Sequence, residues 1–346
     1  MKRIILIIAL LFSITSCSTQ KEQQGLTITN NDIEEVIEYW NNYQSKAKTK
    51  TEYHGLMLSD NNSIYNEESI SVDNYPMGEL KQSAIDDTLH ILNTIRFSLG
   101  LNEVYEHKPM SEDAQYSAYI NSLNGEINHF PKVPDEMTKY DEIYRKGFEV
   151  SNRSNLDVDR SFLNHIEKFI KDDIGEDNKK KVGHRAWALS PALYRVGVGA
   201  FDNTYNFNDY EEKMNFFSLV VSNGEDYSDT IENQVFSYPG EIAISEFNSN
   251  TTPYSIFFGK NFELRNAYVK VYDLNNRKKY KYWNRNGLYI NNKCNYGYLK
   301  SLVFGTDLPY EVGTKLKIEV EGIKKNGEKY PISFTSEYIS IKKGEK

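Results

Sequence analysis

The chain has 346 residues, with 41 Lys and Arg against 49 Asp and Glu and a formal net charge of −8. That balance disfavours nucleic acid, which needs a basic footprint, and direct adsorption on anionic lipid. The cysteines are Cys17 and Cys294, and 26 Tyr stand against 3 Trp, a surface suited to polar, stacking contacts with carbohydrate or protein.

In chain order, Lys2 and Arg3 precede an apolar run from Ile4 to Phe12, which reads as a secretory leader too short to span a membrane. Small residues before Cys17 look like a bacterial lipobox, which implies cleavage at residues 1–16 and lipid attachment to Cys17. The expected location is therefore extracytoplasmic and membrane-anchored, at the cell membrane or, given Ser18 after the cysteine, an outer membrane. With Cys17 acylated, no internal disulfide remains, and the fold must rely on its core.

Residues 17–79 are expected to hold a polar tether and an N-terminal helical segment. Ile33, Val36, Ile37 and Trp40 recur at helical spacing, with Asn31 and Glu34 as a plausible start. The next helix carries Ile85, Leu89, Leu92, Arg96 and Leu99, closed by Gly100. Ser111 is placed as the cap of a further helix running to Asn124-Gly125, and Phe162, Ile166, Phe169 and Ile170 mark another. Residues 185–190, after Gly183-His184, alternate like a strand; Tyr194–Ala200 and Asn215–Ser222 also read as strands. Helices followed by strands make the class α+β. Residues 224–234 are a charged linker, and 235–346 carry short alternating strands with turn chemistry at Asn286-Gly287 and Asn326-Gly327. Five to seven such strands predict an immunoglobulin- or fibronectin-like β-sandwich, most plainly a spacer, adhesion module or lid.

Seven short motifs fall in one order: Asn93-x-x-Arg96…Gly100-Leu101, Ala114-Gln115-x-x-Ala118, Asn124-Gly125…His129, Ser154-Asn155-Leu156, Asp173-x-Gly175-x-x-Asn178, Gly183-His184-Arg185-x-Trp187 and Val196-Gly197-Val198-Gly199. This order, over residues 80–223, resembles bacterial CAP-domain proteins, relatives of the cysteine-rich secretory, antigen 5 and pathogenesis-related proteins. The resemblance implies an α-β-α sandwich with a shallow cleft holding two histidines and two acids, sometimes with zinc. His129 and His184 match the histidines; Ser154 stands where the first acid would be, and Glu167 is the candidate second.

The candidate ligand-binding cleft is thus His129, Ser154, Asn155, His184 and Arg185, with no catalytic residue assigned. His129 and His184 are also the candidate metal ligands, but two imidazoles make only a weak zinc site, since a tight one uses three or four protein ligands. Alternatives stand beside these readings: His184 as a structural bridge, His129 as a partner of a helix C-terminus, Arg185 and Arg96 paired with carboxylates such as Asp173, and Trp187 as core. Ser154 lacks the elbow of a nucleophilic serine. Two functions follow. One is a membrane-anchored, non-catalytic module binding a glycan, peptide or protein of the cell envelope or a host. The other is a metal-assisted hydrolase acting on peptide or cell-wall material through His129 and His184.

Overall fold

The computed structural model describes residues 24–342 apart from 29, 45–46, 48–51, 54–55, 58–63, 67–70, 73–74, 208–209, 223, 225–227 and 285. The leader and Cys17 lie outside the described residues. The architecture is mixed α+β. The helices are α1 (Ile33–Gln44), α2 (Gln82–Ser98), α3 (Lys108–Asn124), α4 (Glu142–Asn152), α5 (Asn164–Lys171), α6 (Glu176–Lys181) and α7 (Gly183–Ala188). A first sheet contains β1 (Tyr105–Glu106), β2 (Ser154–Asp159), β3 (Arg195–Phe207) and β4 (Tyr210–Val220) in the order β1-β3-β4-β2. Only the β1–β3 pair in it is parallel.

Local chemistry explains where the helices begin and end. At the start of α1, Asp32 Oδ1 accepts from the Glu34 amide (2.8 Å) while Glu35 Oε2 accepts from the Asp32 amide (3.0 Å). This reciprocal cap lies one residue beyond the expected Asn31/Glu34 pair, because Asn31 is used elsewhere: its amide donates to the Phe97 carbonyl at the end of α2 (2.9 Å). The α2 stripe stops at Gly100, whose φ of +70° is open to glycine at little cost. Helix α3 starts at Lys108 with Pro109 in its first turn, before the expected cap Ser111. The Ser111 hydroxyl instead accepts from the Val198 amide of β3 (3.1 Å).

That contact reflects how closely α3 lies on the first sheet. A Cβ at Gly197 or Gly199 would stand 2.2 Å from the backbone of Met110 or Ala114. The Val-Gly-Val-Gly alternation therefore turns bare backbone toward α3 and buries Val196 and Val198 on the other face. Gln115 locks the pair, donating to the Met77 and Ala200 carbonyls and accepting from the Ala200 amide.

The second part of the chain builds β5 (Val235–Tyr238), β6 (Ile242–Ile244), β7 (Tyr254–Phe258), β8 (Tyr268–Asp273), β9 (Lys278–Asn284), β10 (Gly287–Tyr296), β11 (Leu299–Phe304), β12 (Lys315–Glu321) and β13 (Ile332–Ile339). These nine form one hydrogen-bonded sheet, β6-β13-β12-β8-β9-β10-β11-β7-β5, beside a separate three-stranded sheet of two-residue strands. Asn326-Gly327 forms the expected tight turn, with φ of +50° and +83° between paired Lys325 and Glu328. Asn286-Gly287 does not make the expected hairpin. Trp283 and Asn286 exchange backbone hydrogen bonds (3.3 and 2.8 Å), and Gly287 pairs with Trp283 in parallel.

The two parts share a core. Ile91, Leu92 and Ile95 of α2, Phe169 and Ile170 of α5, Phe236 of β5, Phe257 of β7 and Val303 of β11 belong to one buried cluster. Ile231, inside the segment expected to be a charged linker with almost no core-forming residues, is buried in that cluster. The chain upstream of α1 is docked as well: the Gln24 amide donates to Pro331 (3.0 Å), Gln24 accepts from Ser333 (2.9 Å), and the Thr27 amide donates to Val235 (2.9 Å). Residues 24–28 are therefore not part of a free tether.

Candidate ligand-binding cleft

The stretch 183–188 is a helix, not the strand that its alternation predicts. An alternating hexapeptide is ambiguous, and here tertiary contacts choose between the two periods. Helical spacing turns Arg185, Ala186, Ala188 and Leu189 inward and leaves His184 and Trp187, three apart, partly exposed.

Arg185 is the main reason for that choice. It is fully buried and donates to the Ile170 and Lys171 carbonyls at the end of α5, to the Pro253 carbonyl (2.8 Å) and to Ser255 Oγ (2.9 Å). Its guanidinium also lies over the Tyr238 ring at 4.9 Å. The expectation that Arg185 lines the cleft is therefore corrected: it faces away from the cleft and clamps α7 to both parts of the chain. Its side chain engages carbonyls rather than Asp173, which accepts from the Thr251 hydroxyl. Arg96, also fully buried, serves the other end of α7 by donating to the Ala188, Ser190 and Leu193 carbonyls (2.8, 3.2 and 3.2 Å). It supplies partners for carbonyls that a helix C-terminus leaves open. Burial pulls its pKa down to about 9.

On the outward side, four predicted residues line one cleft of about 560 Å³: His129, Ser154, Asn155 and His184. His184 stacks on Phe169, and its Nδ1 lies 3.0 Å from Asp172 Oδ1. Burial draws the imidazole pKa down, but the hydrogen bond and charge of Asp172, with the charge of Asp157 behind it, outweigh burial and raise it above 6.5. His129 is exposed and its Nδ1 lies 2.8 Å from the Ser151 carbonyl in the last turn of α4, a different helix from the preceding one whose C-terminus was expected as its partner. In each ring Nδ1–H is thereby the donor, which leaves Nε2 as the open nitrogen. Ser154 Oγ is buried and donates to the Val150 carbonyl (2.7 Å), so this hydroxyl is committed to α4. The Asn155 amide donates to the His184 carbonyl (2.9 Å) and fixes the start of α7 on β2.

The candidate second acid is elsewhere. Glu167 is buried on α5, ion-paired with Lys171, and its charge helps push up the pKa of buried Tyr53. Asp172, which sequence reasoning missed, supports His184 from below. It sits just past α5 at a φ of +47°, a conformation that aspartate tolerates better than most residues. Among the described residues no group of three or more His, Cys, Asp or Glu side chains is arranged to hold a metal ion. Two open imidazole nitrogens do not fit a tight zinc site, which uses three or four protein ligands.

Trp187, expected in the core, is partly exposed and stands at the end of the cleft, edge-on to Tyr298 with ring centres 5.4 Å apart. Tyr298 comes from the tight turn between β10 and β11, in which Gly297 and Tyr298 have φ of +56° and +62° and Tyr296 pairs with Leu299. The tip presses on α7: a Cβ on Gly297 would lie 2.1 Å from the Ala186 carbonyl, and Ser190 Oγ donates to the Gly297 carbonyl (2.8 Å). Tyr296 and Asn295 thus form a cleft wall supplied by the second part of the chain. Comparison with protein-family models, curated proteins and solved structures finds no match to this chain.

Proposed function

We propose that the chain is an extracytoplasmic CAP-like protein, lipid-anchored at Cys17, with an α-β-α unit over residues 80–223 and an immunoglobulin- or fibronectin-like β unit after it. Its cleft binds a cell-envelope or host ligand without turning it over. The observation that carries this reading is that His129, from the loop after α3, and His184, from the first turn of α7, line one cleft with Nε2 uncommitted, and that no carboxylate among the described residues lines it. The commitment of Ser154 Oγ to Val150 supports the absence of a serine nucleophile. The His184–Asp172 pair favours a second reading, a hydrolase in which a carboxylate-oriented imidazole acts as general base toward water.

One set of titrations separates the two. The full chain in detergent is titrated with cell-wall glycan fragments and peptides, beside a His129→Ala/His184→Ala variant of matched melting temperature. Binding without turnover, lost in the double variant, is the expected result. Turnover lost with His184→Gln alone moves the assignment to the hydrolase, and micromolar or tighter zinc binding lost in the double variant revives its metal-assisted form.

A further inference from the structure

A second cavity of about 440 Å³ lies beside the cleft, and the two share Trp187, Val221 and Ser222 as walls. Trp187 therefore stands between two halves of one groove. The far half presents the rings of Tyr194 and Tyr298 with Arg195. Tyr194 is 58% exposed although it is a large ring, and the Arg195 guanidinium lies 5.6 Å from its centre.

Charge sorts the ligand. The chain carries more acids than bases, 49 to 41, yet among the described residues no Asp or Glu lines either half. The charged side chains that do are Arg153, Lys181 and Arg195, with His129 and His184 beside them. Arg153 is held by Asp113 (2.6 Å) and Lys181 by Asp177 (3.2 Å), both carboxylates outside the groove. Among the described residues Arg195 has no carboxylate partner; its guanidinium lies against the Tyr194 ring. Between these charges lie the side chains of Asn155, Asn178 and Asn295. Exposed ring faces, amides and an unpaired guanidinium match a polymer of polar rings bearing carboxylates. An acidic peptide would also pair with an arginine, but three ring side chains along one groove fit sugar faces better than the backbone ladders or apolar anchor pockets that most peptides use.

We propose that the two cavities form one groove for an acidic glycan, with Tyr194, Trp187 and Tyr298 stacking on sugar rings and Arg195 pairing with a carboxylate. This deepens the binding reading and rests on it. The test uses the full chain in detergent, titrated with oligogalacturonate, its neutral methyl ester and an oligoglutamate peptide. Arg195→Gln and Tyr194→Ala replace exposed residues, and a melting curve checks that each variant is folded. The expected result is binding of oligogalacturonate only, weakened about tenfold or more by Arg195→Gln, as loss of a charge-assisted contact requires, and likewise by Tyr194→Ala. Equal binding of the methyl ester, equal binding of oligoglutamate, or variants that bind like the wild type would each overturn it. If His129→Ala/His184→Ala abolishes binding while Arg195→Gln does not, the cleft reading stands and the extension past Trp187 falls. If no glycan or peptide binds the wild type, both fall.

Discussion

Arg185 and His184 are neighbours in sequence, yet Arg185 finds four acceptors in the interior while His184 spends one ring nitrogen on Asp172 and keeps the other for the cleft. A six-residue helix thus carries cohesion on one side and recognition on the other. The inner acceptors come from α5 and from Pro253 and Ser255 at the start of β7, so removing the inner side chain loosens the joint between two parts of the molecule. The outer side chains hold the fold by fewer contacts: His184 stacks on Phe169 and pairs with Asp172, and Trp187 packs edge-on to Tyr298. Stability and binding should therefore respond to different residues of the same helix.

Substitutions on the two sides measure that division. Arg185→Leu strands several buried carbonyls, and chemical denaturation should show a loss of about 3–5 kcal/mol; a loss below about 1 kcal/mol would break the contrast. Gly297→Ala drives a methyl group into the Ala186 carbonyl at a positive φ, with an expected loss of about 2–3 kcal/mol on thermal melting.

The His184–Asp172 pair predicts a smaller, pH-dependent effect. The folded pKa of His184 is raised, so proton binding favours the fold. This contribution is fully present below the unfolded value, near 6.5, and is lost as pH rises through the folded value. Denaturation midpoints of the wild type should therefore fall more steeply than those of Asp172→Asn as pH climbs from about 6 to about 8. An identical slope in both proteins would remove Asp172 as the cause. The smallest effect is expected at the exposed rim: His129→Ala should change stability by no more than about 0.5 kcal/mol while weakening cleft binding. A larger loss would assign His129 to the fold.

Sequence periodicity made α2 and α5 legible, because each buries an apolar stripe, and Val-Gly-Val-Gly exposed the close approach of α3 to β3. It failed where partners are distant. The Arg185 acceptors Pro253 and Ser255 lie about seventy residues downstream, so nothing near the arginine tells a clamp from a cleft residue. Nothing near His165 in sequence marks it, yet its two nitrogens contact Asp157 (2.6 Å) and Asn215 (2.9 Å), the latter fifty residues away. Strands β9 and β10 are rich in Lys and Asn with many exposed positions, which masks the alternation that marked the other strands. Trp187 packs against the core cluster, as its residue type suggests, while its place three residues after His184 leaves it partly exposed on the outward side.

The docking of Gln24 against β13 sets a height limit. From Cys17 to Gln24 the chain takes seven residue steps, each spanning at most about 3.6 Å, or about 25 Å in all. With Cys17 acylated as proposed, that is the whole leash: the edge near Pro331 and Ser333 cannot drift farther than this from the bilayer. An anchored copy would sample ligands only in the thin layer next to its own membrane. A glycan would have to reach that layer to be bound, and membrane proximity would restrict its choice of ligand together with the side chains of the groove.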